Sequence, residues 1–253
     1  DLITNTNFNT DLITNTNFDT DIDTDIDIDT NHEFYNNFNN LIRIKQTNII
    51  LAYDRCNFNE LMILLKNINK YIIGLKIHNE ILNLNNYQYK KLRLFCKTNY
   101  IFMWEDRKFN DIGNTLMNQI LHYSNDIDCV SIVPTGGLCN NIFCDKNLIY
   151  FILCEMSSNN NLFTINLKNH ILYQYLTNFN LNNDLCSGLI CQDEELIEWC
   201  SLNKIITIKP GINITDDIDG FNQTYTNPNN ATIHPTMYVI GRGITMSDNP
   251  VEE

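Results

Sequence analysis

Charged residues of opposite sign are concentrated in the stretch 105–111, Glu-Asp-Arg-Lys-Phe-Asn-Asp, which follows an apolar run at 100–104. Asp106 and Lys108 are two positions apart, so on a strand their side chains point to the same side. Asp111 comes three residues later, before the next helical pattern. An ammonium held between carboxylates is suited to proton transfer and to stabilising charge that develops during a reaction. Spacing alone leaves a second interpretation open, in which these ions only cap a strand and a helix.

The segments that would position this cluster alternate between two patterns. Eight short apolar runs predict strands at residues 48–53, 71–77, 100–105, 128–133, 149–156, 184–190, 205–209 and 237–240. Amphipathic segments between them predict helices at 58–69, 83–97, 112–123, 138–145, 166–177 and 193–202, with a weaker pattern at 227–233. A stripe of Phe34, Phe38, Leu41 and Ile42 predicts one more helix before the first strand.

This order predicts the α/β class and a (β/α)8 TIM barrel, with a doubly wound sheet as the alternative. The sequence ends thirteen residues after the last predicted strand. We therefore expect the final barrel helix to be missing or shortened, which would leave apolar barrel surface uncovered.

Composition divides the chain into two parts. Residues 1–10 and 11–20 are near-copies, and an Asp/Ile/Thr run continues to residue 30. These thirty residues contain eight Asp and no Lys or Arg, so the net charge of −13 falls to −5 for the remainder. Dense like charge predicts a disordered, low-complexity acidic tail at 1–30, and the barrel domain is expected at 31–253.

Composition also argues against several classes of protein. The mildly acidic remainder lacks the basic patch of a nucleic-acid-binding protein, and its apolar runs are too short to span a membrane. The N-terminus lacks the layout of a signal peptide. The nine cysteines form no C-x-x-C pairs and are interpreted as reduced core thiols. We expect a cytoplasmic protein that binds neither nucleic acid nor membranes.

Polar residues follow the predicted strands at the end where barrel enzymes form their active sites. They come from six strands: Asp54; Lys76 and His78; Asp106, Lys108 and Asp111; Ser157 and Ser158; Pro210 and Gly211; and Gly241, Arg242 and Gly243. His78 is expected to support its neighbours by hydrogen bonding. The other histidines lack the spacing of a metal site, and no metal ligands are predicted.

Seven motifs resemble, in order and spacing, those of the orotidine 5′-phosphate decarboxylase family. They are the stretch 105–115, Gly-Leu-Lys-Ile-His at 74–78, Ile-Val-Pro at 132–134, Cys-Glu-Met-Ser-Ser at 154–158, Lys-Pro-Gly-Ile at 209–212, Asn-Gln-Thr-Tyr at 222–225 and Val-Ile-Gly-Arg-Gly-Ile at 239–244. The resemblance extends from about residue 43 to residue 250 and leaves out the acidic tail.

The resemblance implies a homodimeric barrel that converts orotidine 5′-phosphate to uridine 5′-monophosphate (UMP) and CO2, without cofactor or metal, in de novo pyrimidine biosynthesis. It implies a catalytic tetrad of Lys76, Asp106, Lys108 and Asp111. Lys108 would donate the proton that replaces CO2, and Asp106 would lie beside the departing carboxylate. Lys76 would hold Asp106 and the ribose hydroxyls. Asp111 would position Lys108 in the partner subunit's site.

The resemblance also implies the substrate-binding residues. Arg242, Gln223 and Tyr225 would hold the phosphate, and the planar guanidinium fork of Arg242 suits a phosphate dianion. Gly241 would allow close backbone approach. The remaining members of the set are Asp54 for the ribose, Ser157 for the pyrimidine, Thr115 for the ribose across the subunit interface, and Pro210 in the 209–212 motif.

Three motifs depart from the family pattern. Asn222-Gln-Thr-Tyr stands where the family has Gly-Gln-Gln-Tyr in its phosphate-binding loop, Thr135-Gly-Gly stands where it has Gly-Ser-Gly, and Lys209 replaces the usual Thr before Pro-Gly. Two alternative functions stay open. One is a sugar-phosphate decarboxylase of the same superfamily, which needs magnesium. The other is a catalytically silent relative that binds a nucleotide.

Overall fold

A computed structural model describes residues 32–123, 126–138, 148–178, 187–214 and 222–252. Its eight parallel strands pair in chain order, and β8 pairs with β1 to close a barrel. The strands are β1 (Ile49–Tyr53), β2 (Gly74–Ile77), β3 (Phe102–Phe109), β4 (Cys129–Ile132), β5 (Ile149–Leu153), β6 (Ser187–Ile190), β7 (Ile206–Lys209) and β8 (Met237–Ile240). The predicted (β/α)8 barrel is confirmed, and the doubly wound alternative is wrong.

The helices of the described residues surround this barrel. They are α1 (His32–Lys45), α2 (Phe58–Ile68), α3 (Asn79–Leu82), α4 (Asn86–Thr98), α5 (Gly113–Leu121), α6 (Ile165–Asn178), α7 (Glu194–Leu202) and α8 (Arg242–Thr245). None of them is long and apolar enough to span a membrane.

Most predicted helices are present. One observed helix was not predicted, one predicted helix is absent from its described segment, and one lies outside the described residues. Helix α3 was not predicted, because four residues are too few to show a helical period. The segment 227–233 contains only a 3-10 turn at Pro228–Asn230, and a proline begins it. The predicted helix at 138–145 and the predicted tail at 1–30 lie outside the described residues, apart from Leu138.

Strand β3 extends four residues beyond its predicted end at residue 105. Its pairing with β4 shifts register between Glu105 and Phe109, which face Val130 and Ile132. Three residues of β3 therefore face one residue of β4, as in a β-bulge, and the strand bends there. The bulge contains Asp106 and Lys108, so both belong to the strand itself, whereas Asp111 follows its end.

Apolar side chains fill the barrel interior and its amino-terminal end. Trp104 and Phe151 pack edge-to-face in the interior at 5.0 Å between ring centroids. Below them Phe38 of α1 packs against Phe102 at 5.4 Å. Helix α1 thus covers the end of the barrel opposite the predicted site, which leaves the carboxyl ends of the strands for the site.

Helix α8 is short, as the sequence predicts. The expected uncovered surface is reduced by Ile244 of α8, which is 6% exposed and packs into a cluster that includes Leu51 and Leu65. Ile244 therefore adds α8 to the apolar cluster formed by β1 and α2 despite the short length of the helix.

Candidate active site

A cavity of about 570 Å³ opens at the carboxyl ends of the strands. A volume of this size is typical of a pocket for a small molecule. Ten of the twelve predicted site residues line it: Asp54, Lys76, Asp106, Lys108, Ser157, Pro210, Gln223, Tyr225, Gly241 and Arg242. Asp111 and Thr115 are not among the lining residues.

Three acceptors surround the Lys76 ammonium at one side of this cavity. Its Nζ lies 3.0 Å from Asp106 Oδ2, 3.3 Å from Asp54 Oδ1 and 3.2 Å from His78 Nε2. An ammonium has three donors, so each can be used. Burial alone would lower the pKa of Lys76, but Asp106 and Asp54 raise it above its ordinary value. Lys76 is therefore a fixed cation.

Asp106 is the most heavily bonded residue of the site. Its Oδ2 accepts from Lys76 and, at 2.8 Å, from Lys108 Nζ, while its Oδ1 accepts from the Ser131 hydroxyl at 2.7 Å. Burial alone would raise the pKa of this carboxyl, but Lys76 and Lys108, with the Ser131 hydroxyl, hold its pKa well below the usual range. Asp106 is thus an anion at any physiological pH.

The backbone of Lys108 is in the left-handed region, with φ of +57°. A non-glycine residue held in a sparsely populated conformation costs about 1–3 kcal/mol and persists only where its surroundings enforce it. The bulge of β3 enforces it here, and it turns the Lys108 side chain back toward Asp106. The Lys-Asp-Lys alternation that the family resemblance implied is therefore present as direct contacts.

Arg242 also lines the cavity. Its guanidinium donates from Nη2 to Gln223 Oε1 at 3.1 Å and to the Tyr225 hydroxyl. The guanidinium also lies 5.6 Å from the centroid of the Tyr225 ring. An arginine with its fork at a cavity wall is suited to binding a phosphate. The three residues predicted to hold phosphate are therefore in contact with one another.

Gly211 allows the loop that carries Gln223 and Tyr225 to approach the barrel. The Thr226 N–H donates to the Gly211 carbonyl at 2.8 Å, and Gly211 has φ of +75°. A Cβ at this position would lie 2.7 Å from the Thr224 carbonyl oxygen. Only glycine fits the backbone conformation and the space together.

Asp111 and Thr115 are placed away from the cavity of their own chain. Asp111 Oδ1 accepts from the Ile112 N–H at 2.8 Å, and its Oδ2 accepts from Gln119 at 3.3 Å. Thr115 is exposed on α5. A single chain therefore brings together three of the four predicted tetrad residues.

Sequence reasoning missed several residues that contact the site. Ser131, which is fully buried, gave no signal because it stands inside an apolar strand. Arg55 lines the cavity and donates to the Thr245 carbonyl at 3.2 Å; its place directly after Asp54 was the available signal.

His78 was predicted to support its neighbours, and it contacts Lys76. Within the described ranges, no group of three His, Cys, Asp or Glu side chains could hold a metal ion.

The chain is similar to known proteins in sequence and in fold. The sequence model of one protein family, described as orotidine 5′-phosphate decarboxylase / HUMPS, matches residues 47–253. The orotidine 5′-phosphate decarboxylase of Buchnera aphidicola is 31% identical over 219 residues, covering 81% of this chain and 92% of the relative. The enzyme of that name from Emericella nidulans is 29% identical over 232 residues and covers 82% of each chain.

A solved structure shows the same fold. It is an orotidine 5′-monophosphate decarboxylase from Methanocaldococcus jannaschii, complexed with the inhibitor BMP. It superposes with a TM-score of 0.60 at 15% identity and covers 81% of this chain and 94% of that one. From the length of the family match and the identity to the bacterial relative, the chain belongs to the orotidine 5′-phosphate decarboxylase / HUMPS family.

Proposed function

We propose that this protein is a carboxy-lyase that converts orotidine 5′-phosphate to UMP and CO2. The observation that carries the proposal is the contact series Lys76–Asp106–Lys108 in a cavity that Arg242 also lines. The relatives named as orotidine 5′-phosphate decarboxylases support it.

The reaction breaks the bond between a pyrimidine ring carbon and its carboxylate. CO2 leaves, and the electron pair stays on the ring carbon in an orbital that no π-system delocalises. A cation fixed beside that carbon stabilises the developing charge. The same ammonium, on Lys108, donates a proton to the carbon and regains one from solvent. The bond broken and the C–H bond formed balance without an oxidant or a reductant.

Asp106 and Lys76 would prepare Lys108 for this step. The Asp106 carboxylate lies 2.8 Å from the Lys108 ammonium and 3.0 Å from that of Lys76, so it fixes both cations. Since the Asp106 carboxylate is held as an anion, a substrate carboxylate beside it would be repelled. Lys76 and Asp54, which both face the cavity, are the groups for the ribose hydroxyls.

The remainder of the cavity would bind the rest of the nucleotide. Arg242, Gln223 and Tyr225 hold the phosphate, with Gly241 beside them. Ser157 serves the pyrimidine, and Pro210 packs against the ligand. This division is supported by the placement of these residues around one cavity of about 570 Å³.

We assign the working form to a homodimer with shared active sites. Asp111 and Thr115 do not line the cavity of their own chain, which supports a role for both in the partner's site. A symmetric dimer would exchange these residues reciprocally. In the cell we place the protein in the cytoplasm and in de novo pyrimidine biosynthesis, with the acidic segment 1–30 as a tail outside the barrel domain.

The absorbance of orotidine 5′-phosphate in the ultraviolet tests the proposal, because loss of the conjugated carboxylate lowers it. Purified protein is expected to lower the absorbance both in the presence of a metal chelator and in its absence. A folded sample that leaves it unchanged would overturn the proposal.

Two further measurements separate the alternatives. Calorimetric binding of UMP without turnover would identify a catalytically silent nucleotide-binding protein. Turnover of a sugar-phosphate acid that chelator abolishes and magnesium restores would identify the sugar-phosphate decarboxylase.

A further inference from the structure

Ser131 occupies an unusual position for a hydroxyl. It is fully buried on β4, in the sequence Cys-Val-Ser-Ile. Cys129, two residues earlier, packs in the apolar interior of the barrel, and residues two apart on a strand share a face. Packing alone would be served by an apolar side chain. A hydroxyl in such a place needs hydrogen-bond partners, because an unpaired buried polar group is destabilising.

The Ser131 hydroxyl both donates and accepts a hydrogen bond, and its partners are Asp106 and Lys108. Ser131 Oγ donates to Asp106 Oδ1 at 2.7 Å and accepts from the backbone N–H of Lys108 at 3.1 Å. One hydroxyl has a single proton to donate and lone pairs to accept with, so the two bonds are compatible. Ser131 thus links the Asp106 carboxylate to the Lys108 backbone.

The Lys108 backbone needs this support. Its φ of +57° lies in the left-handed region, and the residue stands within the register shift between β3 and β4. A bulge leaves such a residue outside the regular ladder of strand hydrogen bonds. The Ser131 hydroxyl supplies the acceptor that the ladder lacks, and so it contributes to the conformation that turns Lys108 toward Asp106.

We propose that Ser131 is a positioning residue for decarboxylation. Its hydroxyl fixes the Asp106 carboxylate and the bulged backbone of Lys108 together, and so sets where the Lys108 ammonium meets the reacting carbon. This inference rests on the proposed function. Its consequence is a selective loss of rate, because a displacement of about 1 Å at a reacting group costs about 100-fold in rate.

Kinetics of Ser131→Ala and Ser131→Thr test this role. We expect kcat to fall about 100-fold in Ser131→Ala. The Kd for UMP, measured by calorimetry, should stay within about threefold of the wild-type value. UMP lacks the carboxylate that Asp106 and Lys108 would face in the substrate. Ser131→Thr keeps the hydroxyl and should recover at least about a tenth of the wild-type kcat.

Ser187→Ala is the matched control. Ser187 is also a buried strand serine, and its hydroxyl bonds the Tyr175 hydroxyl at 3.0 Å on α6, outside the cavity. Its loss should lower the unfolding temperature but leave kcat within about threefold. An unchanged kcat in Ser131→Ala would overturn the inference, and so would an equal loss of kcat in Ser187→Ala.

A crystal structure of Ser131→Ala provides a result that does not depend on turnover. We expect the Lys108 φ to leave the left-handed region or its Nζ to move out of hydrogen-bond range of Asp106. Retention of φ near +57° and of the 2.8 Å contact would overturn the inference even if the wild-type protein proved inactive. If the alanine variant does not fold, Ser131→Cys is used in its place, since it keeps the shape and weakens the hydrogen bonds.

Discussion

The properties of the site residues follow from which charges surround each of them. Asp106 accepts from two ammonium groups and one hydroxyl, so its carboxylate is held ionised in a place where burial would otherwise protonate it. The two lysines are fixed in turn by that carboxylate. The electrostatic field at the cavity wall is therefore formed before any ligand binds, as preorganised stabilisation requires.

Removing the Lys108 ammonium should abolish catalysis and spare binding. Lys108→Ala is expected to lower kcat by more than about 10⁴-fold, because it removes both the proton donor and the cation at the reacting carbon. UMP binding should remain measurable by calorimetry. Arg107→Ala is the control, since Arg107 pairs with Glu80 and is not among the cavity-lining residues. A Lys108→Ala rate near that of the control would remove Lys108 as proton donor.

His78 should make kcat/KM fall at low pH. Neutral Nε2 can accept from Lys76 at 3.2 Å, whereas a protonated imidazole cannot. Burial first, and then the Lys76 and Lys108 charges, lower the pKa of His78 below 6.5, against the opposing effect of Asp106 and Asp54. As pH falls through that lowered pKa, Lys76 loses its third acceptor.

We therefore expect kcat/KM to decline on the acid side with an apparent pKa below 6.5. His78→Gln, whose amide oxygen accepts at any pH, should lack this limb, and the exposed His122→Gln should retain it. A His78→Gln profile that matches the wild type would show that another group titrates.

At the scale of elements, β3 has two different sides. One side presents Asp106 and Lys108 to the cavity, and the other buries Glu105, whose Oε2 accepts from the Asn79 N–H of α3 at 3.0 Å. Glu105 Oε1 has no hydrogen-bond partner among the described residues. The strand that carries the proposed chemistry thus also buries a carboxyl outside the cavity.

Glu105 should make stability depend on pH. Burial raises the pKa of Glu105 to about 8 from 4.5, with Glu80 and Asp106 adding to the increase and the Asn79 N–H and Lys76 opposing it. The folded protein keeps a proton that the unfolded chain releases, so the free energy of unfolding falls as pH rises between these two values. The decrease should be a few kcal/mol, at about 1.4 kcal/mol for each unit of pKa difference.

Glu105→Gln should remove this dependence, measured as denaturant unfolding at pH 5 and pH 8.5. The control is Glu198→Gln, an exposed position on α7. Equal slopes of stability against pH in wild type and Glu105→Gln would contradict the prediction.

The loop that carries Gln223 and Tyr225 contacts the barrel at Gly211. Gly211→Ala places a Cβ 2.7 Å from the Thr224 carbonyl oxygen and strains a φ of +75°. The loop that carries Gln223 and Tyr225 would be displaced. We expect KM to rise about 10- to 100-fold, the value of one hydrogen bond to a charged group. The control in steady-state kinetics is Gly243→Ala, whose added Cβ would have its nearest contacts at 3.5 Å. A similar KM in both variants would argue against a role for the contact between Gly211 and the loop.

At the scale of the whole molecule, one chain forms a cavity with three tetrad residues and carries the fourth elsewhere. In the proposed homodimer, Asp111 of the partner subunit would complete each site. A mixture of inactive Lys108→Ala and Asp111→Ala variants tests this, because each mixed dimer contains one intact site. Statistical exchange should restore about one quarter of wild-type activity in the absorbance assay. No recovery after confirmed subunit exchange would count against a shared site.

Local patterns in the sequence predicted the eight strands and most residues of the candidate site, for a physical reason. Buried parallel strands are continuous apolar runs, and in a barrel the residues after them must meet at one rim. The sequence therefore sufficed to assign four residues to one rim of the barrel: Asp54, Lys76, Asp106 and Arg242. The doubly wound alternative could not be rejected, because strand order leaves no mark on local periodicity.

The contacts that hold the charges in place could not be predicted from local sequence patterns. The register shift of β3 against β4 and the left-handed backbone of Lys108 depend on pairing with a distant strand, and no local pattern encodes it. Ser131 was hidden for the same reason, since its hydroxyl acquires a role only where β4 lies beside the bulge. The sequence places Asp106 and Lys108 two residues apart, and the fold turns that spacing into a 2.8 Å contact.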